Sequence, residues 1–475
     1  MRGSTPGPTL NPTLKAGRVS AFPRAPLIAH APERRLFARV AAAAAILLTL
    51  AGCSDGLWFG ERAKPPLPGN RISVLAHEQS LKPDAATAGT EILLPPPSAN
   101  PEWPQAGGYA NHAMHHLDMG DAPALLWDAD IGTGASDARR LVAEPVVALG
   151  RVFAVDAENQ VSAYDANTGR QIWQRDVTPR SGDKDHMSGG VAVGDGLLFV
   201  ATGFGHVVAL DPADGTERWR TTLGGPVRTA PTANGGRVFV VTVDNKTRAL
   251  DAQDGKILWT HDALTETVSL LGGASPAVDA GIVVVPYSSG ELVALRVDSG
   301  RVLWSDNLAV TRRTDVISTL AQIRGRPVVD RGRVYAMSHG EMTVAFDLRT
   351  GRRLWERRMG GLSNPWVAGD YLFALSRNND LIALSRGDGR IFWMRALPVY
   401  ENVEKRLKPI IWSGPVLAGD RLIVVGSHGE AWAVSPYSGE VLGRIELDDG
   451  LTVPPVLANG TLYFLSADAT LSAYR

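Results

Sequence analysis

The sequence predicts an all-β fold, an eight-bladed β-propeller closed by pairing an N-terminal strand with the C-terminal strands. Three observations predict it: a recurring unit of short apolar strands and glycine turns, a fixed Gly-x-x-x-Trp step within that unit, and incomplete units at the two ends. The chain has 475 residues, 44% of them hydrophobic, with 50 glycines and 31 prolines. Such a composition can bury a large core made of short elements joined by tight turns.

The repeat is defined by a glycine followed four positions later by a tryptophan. The step occurs at Gly169 with Trp173, Gly215 with Trp219, Gly255 with Trp259, Gly300 with Trp304, Gly351 with Trp355 and Gly389 with Trp393. A seventh unit keeps Gly439 but has Gly443 at the tryptophan position. The strand around Trp127 has the pattern of a fourth strand but lacks the three strands that should precede it, and the chain ends with three strands that lack a fourth. Together, the two ends therefore predict an eighth blade that closes the ring.

The strands and turns of each unit have a physical explanation. Runs such as Val152–Val155 and Ile282–Val285 are continuously apolar, as expected of strands buried on both faces between neighbouring blades. Turns such as Asp165–Gly169 supply the residue with positive φ that a tight hairpin needs. We expect the tryptophans to be structural wedges between adjacent sheets, and Trp219→Ala to cost about 3 to 5 kcal/mol. The blade tryptophans are Trp127, Trp173, Trp219, Trp259, Trp304, Trp355 and Trp393.

The first 100 residues have a different organisation. Arg34, Arg35 and Arg39 precede an apolar run at 40–50, the pattern of an export signal. The sequence Leu-Ala-Gly-Cys that ends at Cys53 resembles a bacterial lipobox, with an ordinary signal peptide and a chance cysteine as the alternative. We therefore expect a lipoprotein signal peptide with a long basic n-region at 1–52, a lipid-anchored tether at 53–100 and the propeller at 101–475.

Cysteine count and charge exclude several classes of protein. Cys53 is the only cysteine, so one chain can form neither a disulfide framework nor a thiolate metal cluster. The net charge is −1, but residues 1–39 hold seven Lys or Arg against one Glu, which leaves a mildly acidic body after them. An acidic body argues against nucleic acid as the main partner.

The lipobox, the stretch Trp103–Gly108 and the repeated Ala-Leu-Asp, Gly and Trp pattern resemble the pyrroloquinoline-quinone-like propeller superfamily. Within it, the chain is most similar to the BamB family, lipoproteins of the machinery that assembles β-barrel proteins in the bacterial outer membrane. The resemblance covers residues 54–475. It implies a non-catalytic scaffold on the periplasmic face of the outer membrane, and the presence of Ser54 and not Asp after Cys53 also favours the outer membrane. The implied partners are the periplasmic domains of BamA, other subunits of the complex and nascent outer-membrane proteins.

The resemblance also implies which loops bind the partner, although both loops depart from the family pattern. Where the family has Leu-Ser-Leu-Arg, this chain has Val-Ser-Leu-Leu, which keeps the apolar character but loses the arginine. Where the family has Asp-Val-Asp before Pro-Val-Val, this chain has Gln-Ile-Arg, so both acids are gone. The resemblance therefore assigns partner binding to Val268, Ser269, Leu270, Leu271, Gln322, Ile323 and Arg324.

The sequence contains no pattern typical of catalysis. Enzymatic members of the superfamily hold quinone and calcium in the central funnel beside an adjacent cysteine pair, which a chain with one cysteine lacks. No GxSxG, Walker or HExxH motif occurs in the propeller region. We expect no enzyme activity, cofactor or metal, although composition does not exclude a calcium site made of carboxylates. The alternative function is a quinone-dependent dehydrogenase-like or small-ligand-binding propeller.

Two polar clusters have no assigned role. His112, His115 and His116 have a spacing that could ligate a metal, but the expectation for a loop ahead of the first strand is solvated polar residues. The run at 405–408, Lys-Arg-Leu-Lys, lies in an insertion after Trp393. A solvated loop is expected there, with contact to a partner or a lipid headgroup as the alternative.

Overall fold

The fold is the predicted eight-bladed propeller. The computed structural model describes residues 81–475 except 88, 138, 181–186, 188, 267–271, 310–321 and 341. These residues form eight four-stranded antiparallel sheets and one separate two-stranded hairpin. The only helix within the described ranges is a single 3-10 turn, Ala85–Thr87, and none of them contains a helix with the length and apolar character needed to cross a bilayer.

Blades 1 to 7 are each formed by four consecutive strands. Blade 1 contains β2 to β5 (Val146–Ala148, Arg151–Val155, Gln160–Asp165, Gln171–Asp176). Blade 2 contains β6 to β9 (Gly190–Gly194, Leu197–Ala201, His206–Leu210, Glu217–Thr222). Blade 3 contains β10 to β13 (Thr232–Asn234, Arg237–Val241, Lys246–Asp251, Ile257–Asp262). Blade 4 contains β14 to β17 (Ala277–Asp279, Ile282–Pro286, Glu291–Arg296, Val302–Asn307).

The second half of the ring repeats this plan. Blade 5 contains β18 to β21 (Val328–Asp330, Arg333–Met337, Thr343–Asp347, Arg353–Arg357). Blade 6 contains β22 to β25 (Trp366–Ala368, Tyr371–Leu375, Asp380–Ser385, Ile391–Ala396). The hairpin of β26 and β27 follows (Tyr400–Asn402, Leu407–Pro409). Blade 7 contains β28 to β31 (Trp412–Ala418, Arg421–Gly426, Glu430–Val434, Val441–Glu446).

Blade 8 closes the ring as the sequence predicts. It contains β32 to β34 (Val456–Ala458, Thr461–Leu465, Thr470–Tyr474) and, as its fourth strand, β1 (Leu125–Asp130). β1 runs antiparallel to β34 and places Trp127 opposite Ala473. Ala124 and Arg475 exchange two backbone hydrogen bonds of 3.0 Å beside this pair. The closure leaves no unpaired strand edge between the first and last blades.

The blade tryptophans pack against the next blade in one repeated arrangement. The Trp127 ring lies over Gly169 of blade 1, so close that a Cβ on this glycine would stand 2.6 Å from the indole. The indole N–H donates to the carbonyl of Ala166 in the same turn, at 3.2 Å. The other indoles donate in the same way to Pro212, Ala252, Val297, Leu348, Arg386 and Pro436. Seven of the eight seams between blades therefore contain an indole over a turn glycine.

Blade 7 is the exception, and the ring closure supplies a physical reason. Gly443 lies opposite Ala433, in the register that places a tryptophan opposite alanine in every other blade. The blade that follows is blade 8, whose third and fourth strands come from opposite ends of the sequence. No turn joins those two strands, so the glycine and the carbonyl that receive an indole elsewhere are missing there. A Cβ on Gly443 would touch nothing within 4 Å.

The segment at 81–124 packs along the propeller, where we had expected a tether as far as residue 100. Asp84 donates its backbone N–H to the Ile391 carbonyl at the outer edge of blade 6, and Ile92 is 3% exposed. The Asn100 side chain donates to the Leu457 carbonyl of blade 8 at 2.6 Å. These backbone and side-chain bonds to strands explain why a proline-rich stretch without periodicity is nonetheless ordered from Leu81 onward.

Candidate functional site: the loop face and the central channel

The two ends of the propeller differ in the loops that they carry. Strands within a blade alternate in direction, so the connection that enters a blade lies at the same end as the hairpin between its second and third strands. We call this end the loop face. It carries the predicted partner loops, at 264–276 and 308–327, and the β26–β27 hairpin.

Residues 98–119, here the channel segment, run along the inner edges of the first strands of the blades. The first strands of neighbouring blades approach one another, and each pairs on one side only, so its other edge faces the axis. Trp103 and Val147 exchange backbone bonds of 2.7 and 2.8 Å across this edge in blade 1. Blades 2, 4 and 5 donate backbone N–H groups to the segment, from Val193 to Pro104, Val278 to Ala110 and Val329 to Asn111. In blade 7 the direction is reversed, and the Leu117 N–H donates to the Leu417 carbonyl.

The turn of the channel segment is fixed by a buried ion pair. Gly107 has a φ of 81°, and its N–H donates to the Glu144 carboxylate at 3.0 Å. Arg326 pairs with the same carboxylate at 2.6 Å, and both side chains are largely buried. The pair links blade 1 to blade 5 across the axis, so the channel segment and the blade entries form one connected structure.

The three histidines are not a solvated loop, contrary to our expectation. His112 is buried and donates from Nδ1 to the Pro327 carbonyl at 2.8 Å. Burial, reinforced by the Arg326 charge, lowers the pKa of His112 to about 3. His116 is also buried, between the Pro95 carbonyl and the Asp420 N–H. His115 points to Asp330, with Nε2 and Oδ1 3.5 Å apart.

The histidines therefore serve the packing of the channel segment and do not converge on one point. Within the described ranges, no group of three or more histidine, cysteine or carboxylate side chains is arranged to hold a metal ion. The sequence spacing that suggested ligands reflects instead a segment whose successive side chains turn toward different blades.

The two predicted partner loops are neighbours, as far as the structure describes them. Val268, Ser269, Leu270 and Leu271 lie outside the described residues. Gly272, which follows them, accepts a hydrogen bond of 3.3 Å from the Gln322 side chain of the second loop. The structure thus brings the two loops together at the entries of blades 4 and 5.

Within the second loop, only one of the three predicted residues is available for contact. Gln322 is 3% exposed and Ile323 is 1% exposed, with Ile323 in the core between blades 4 and 5. Arg324 is partly exposed, and its Nε lies 3.5 Å from where a Cβ on Gly272 would stand. Of these three residues, Arg324 is therefore the one exposed enough to contact a partner, while Gln322 and Ile323 hold the loop in place.

A small cavity of about 40 Å³ lies beside these loops on the loop face. It is lined by the entry of blade 3, at Arg228 and Thr229, by Gly272 and Gly273 of blade 4, and by Gln322 of blade 5. Sequence reasoning missed Arg228 and Glu144. The signal for Arg228 was present, because Arg228 and Arg324 each stand three residues before the proline that precedes a first strand.

Positive charge lies beside this cavity, at Arg228 in its lining and at Arg324 against Gly272. Burial, and then the neighbouring Arg326, lowers the pKa of Arg324 below its ordinary value. The pKa of His339 is lowered by burial and by the charges of Arg377 and Arg324. Burial disfavours the charged form of both groups, and the neighbouring arginine charges disfavour it further.

The insertion at 398–411 is a solvent-facing hairpin, as expected. Lys408 pairs with Glu401 at 2.9 Å across β26 and β27. Val403 and Leu407 are 71% and 55% exposed, so the hairpin presents apolar side chains beside its basic ones. A surface ion pair of this kind contributes little to stability, which leaves the hairpin free for other contacts.

Comparison with known proteins gives one consistent result. A family model described as outer membrane protein assembly factor BamB matches residues 121–188 and 157–395. Proteins of that name are similar to this chain in Yersinia pestis (28% identical over 359 residues, 74% of this chain and 89% of the relative) and Escherichia coli (26% over 354 residues, 74% and 88%).

Solved structures share the fold. BamB from Moraxella catarrhalis has a TM-score of 0.63 at 22% identity, covering 74% of this chain and all of that one. Quinohemoprotein alcohol dehydrogenase from Comamonas testosteroni has a TM-score of 0.59 at 15% identity, covering 79% and 80%. A propeller of this kind thus occurs in both assembly factors and oxidoreductases, and the fold alone does not choose between them.

Proposed function

Because the chain belongs to the family of outer membrane protein assembly factor BamB, we propose that it is a non-catalytic scaffold of the outer-membrane β-barrel assembly complex. In this role it binds the periplasmic domains of BamA through the loop face and assists the folding and insertion of outer-membrane proteins. The observation that carries the proposal is the family match, which extends over blades 1 to 6.

The central channel supports a scaffold more than an oxidoreductase. In a propeller dehydrogenase the cofactor occupies the space on the axis. Here the inner edges of several first strands are hydrogen-bonded to the chain's own residues 98–119. A buried Glu144–Arg326 pair and the buried His112 lie at the turn of that segment. Displacing them would leave unpaired charges and open backbone edges in the interior, which is costly.

The proposal includes a lipid anchor at Cys53. Cys53 and residues before Leu81 lie outside the described part of the chain, so the lipid anchor rests on the lipobox pattern of the sequence. A diacylated and N-acylated cysteine would hold the protein stably at the membrane, because more than one acyl chain is attached. Ser54 after the cysteine favours the outer membrane, with the propeller in the periplasm.

Affinity purification of the tagged full-length protein from detergent-solubilised envelopes tests the proposal. We expect BamA to copurify with it, and a Cys53→Ala variant to be recovered outside the membrane fraction. Purified protein with bound quinone and dye-linked dehydrogenase activity, without BamA, would contradict the proposal.

A further inference from the structure

The cavity on the loop face results from one change in a repeated position. Blades 3, 4 and 5 are each entered through a proline, and the residue three positions earlier is Arg228, Gly273 and Arg324, respectively. Blade 4 therefore has no side chain at this position, and the cavity opens here, lined by Arg228 and by Gly272, against which the Arg324 side chain lies. A Cβ on Gly273 would stand 2.5 Å from the Thr229 side chain, so the cavity requires glycine there.

Two carboxylates of the loop face are already ion-paired. Asp244 pairs with Lys246 at 2.8 Å, and Glu144 pairs with Arg326 at 2.6 Å. Neither Arg228 nor Arg324 has a carboxylate within ion-pair distance among the residues that the structure describes. Arg228 lines the cavity and Arg324 lies against Gly272 at its edge, and neither is ion-paired within the part of the chain that the structure describes, so the site attracts an anion from outside.

The size of the cavity limits what can enter it. A volume of about 40 Å³ accommodates a few water molecules or a carboxylate group. Guanidinium groups bind carboxylates through short, charge-assisted hydrogen bonds, often two at once. The chemistry of the site thus fits the end of an Asp or Glu side chain.

We propose that an acidic side chain of the bound partner protein inserts between Arg228 and Arg324 and is the electrostatic anchor of the loop face. This inference rests on the proposed function, since it names the chemistry by which the partner is recognised. It also predicts the position of contact, at the entries of blades 3 to 5, independently of the apolar residues at 268–271.

Lysine substitutions at Arg228 and Arg324 allow the proposed contact with a carboxylate to be tested by chemical cross-linking. Arg228→Lys with Arg324→Lys keeps both charges but supplies primary amines, which a carbodiimide joins to a carboxylate in direct contact. The double variant is purified with BamA from cells that lack the wild-type protein, treated with carbodiimide and analysed by mass spectrometry. We expect a new adduct between Lys at either position and an Asp or Glu of the partner, absent from wild type.

Arg301 and Arg349 provide matched controls, because both are exposed on turns at the opposite end of the propeller. Their lysine variants should give no adduct. Reversing the charges with Arg228→Glu and Arg324→Glu should lower recovery of BamA at least about tenfold, while Arg301→Glu and Arg349→Glu leave it unchanged.

The outcomes separate this inference from the function on which it rests. Wild-type recovery of BamA together with no adduct, or with undiminished recovery by the glutamate variant, overturns the acidic anchor and leaves the scaffold function standing. Failure of wild type itself to recover BamA overturns both. A glutamate variant that binds poorly counts only if its unfolding midpoint matches wild type, and the lysine adduct decides the question independently of that variant.

Discussion

The contact between Trp259 and Gly300 provides a quantitative test of how the blades hold together. The Trp259 side chain is 8% exposed, and its N–H donates to the Val297 carbonyl at 2.9 Å. Burial of a tryptophan removes about 150–250 Å² from water, equivalent to about 4–6 kcal/mol as an upper value. We therefore expect Trp259→Ala to lower the free energy of unfolding by about 3–5 kcal/mol.

Gly300 should be sensitive for a related reason. Its φ is 68°, and a Cβ there would stand 2.6 Å from the Trp259 ring. Gly300→Ala should cost about 1 kcal/mol for the left-handed backbone and at least about 2 kcal/mol more for the clash. In the Trp259→Ala background the ring is absent, so the same substitution should cost only about 1 kcal/mol.

The double-mutant cycle is measured by equilibrium unfolding in denaturant, followed by far-ultraviolet circular dichroism because one variant lacks a tryptophan. We expect the two substitutions to be coupled by about 2 kcal/mol. Additive effects within about 0.5 kcal/mol would refute the wedge arrangement, because they would mean that ring and glycine do not touch. Trp219, which is more exposed than Trp259, should fall at the lower end of the range.

Three further predictions follow from the same geometry. Gly443→Trp should change the free energy of unfolding by less than about 1 kcal/mol, since no turn glycine receives the ring; a gain of 3 kcal/mol in denaturant unfolding would contradict this. The triple variant Val268→Asp, Leu270→Asp, Arg324→Glu should weaken copurification with BamA, and full recovery would place the contact elsewhere. Burial lowers the pKa of His112 from 6.5 to about 3, so the folded state favours the neutral imidazole. The contribution of His112 to the free energy of unfolding is therefore complete above pH 6.5 and falls by up to about 1.4 kcal/mol per pH unit as the pH decreases toward 3. A His112→Gln variant should lack that part of the pH dependence, and identical pH profiles would show that the histidine is not the cause.

The repeat made the fold predictable, because its signals are local. A glycine at positive φ and a tryptophan four residues later specify a turn and a wedge whatever the rest of the chain does, so Trp127 and Gly443 could be placed correctly in an eightfold count. The closing strand was predictable for the same reason, since an unpaired fourth strand at one end matches three strands at the other.

The channel segment was not predictable from local patterns. Residues 98–119 have no strand periodicity, and their hydrogen-bond partners are first strands from different blades, far away in the sequence. His112 and His116 therefore looked like surface residues, although His112 is buried against the Pro327 carbonyl at the entry of blade 5 and His116 between the Pro95 carbonyl and the Asp420 N–H of blade 7. Burial of this kind depends on the assembled ring, which single-sequence periodicity does not report.

In the partner loops too, the sequence alone did not predict which side chains are exposed. The resemblance assigned Gln322, Ile323 and Arg324 together, but the folded loop buries Gln322 and Ile323 and leaves Arg324 partly exposed. Arg228 lies in a different blade, and only the folded ring brings it to the same cavity as the Arg324 loop. Repeat position, read blade by blade, would have identified the pair.

The central claim, that this propeller assists outer-membrane protein assembly, is tested most directly by removing the protein from cells. Folded and unfolded outer-membrane β-barrels are separated by their different mobility in unheated gels and quantified in the deletion strain and after complementation. We predict a lower yield of folded barrels in the deletion strain, restored by the wild-type chain. Unchanged yields of folded barrels without the protein would contradict the account.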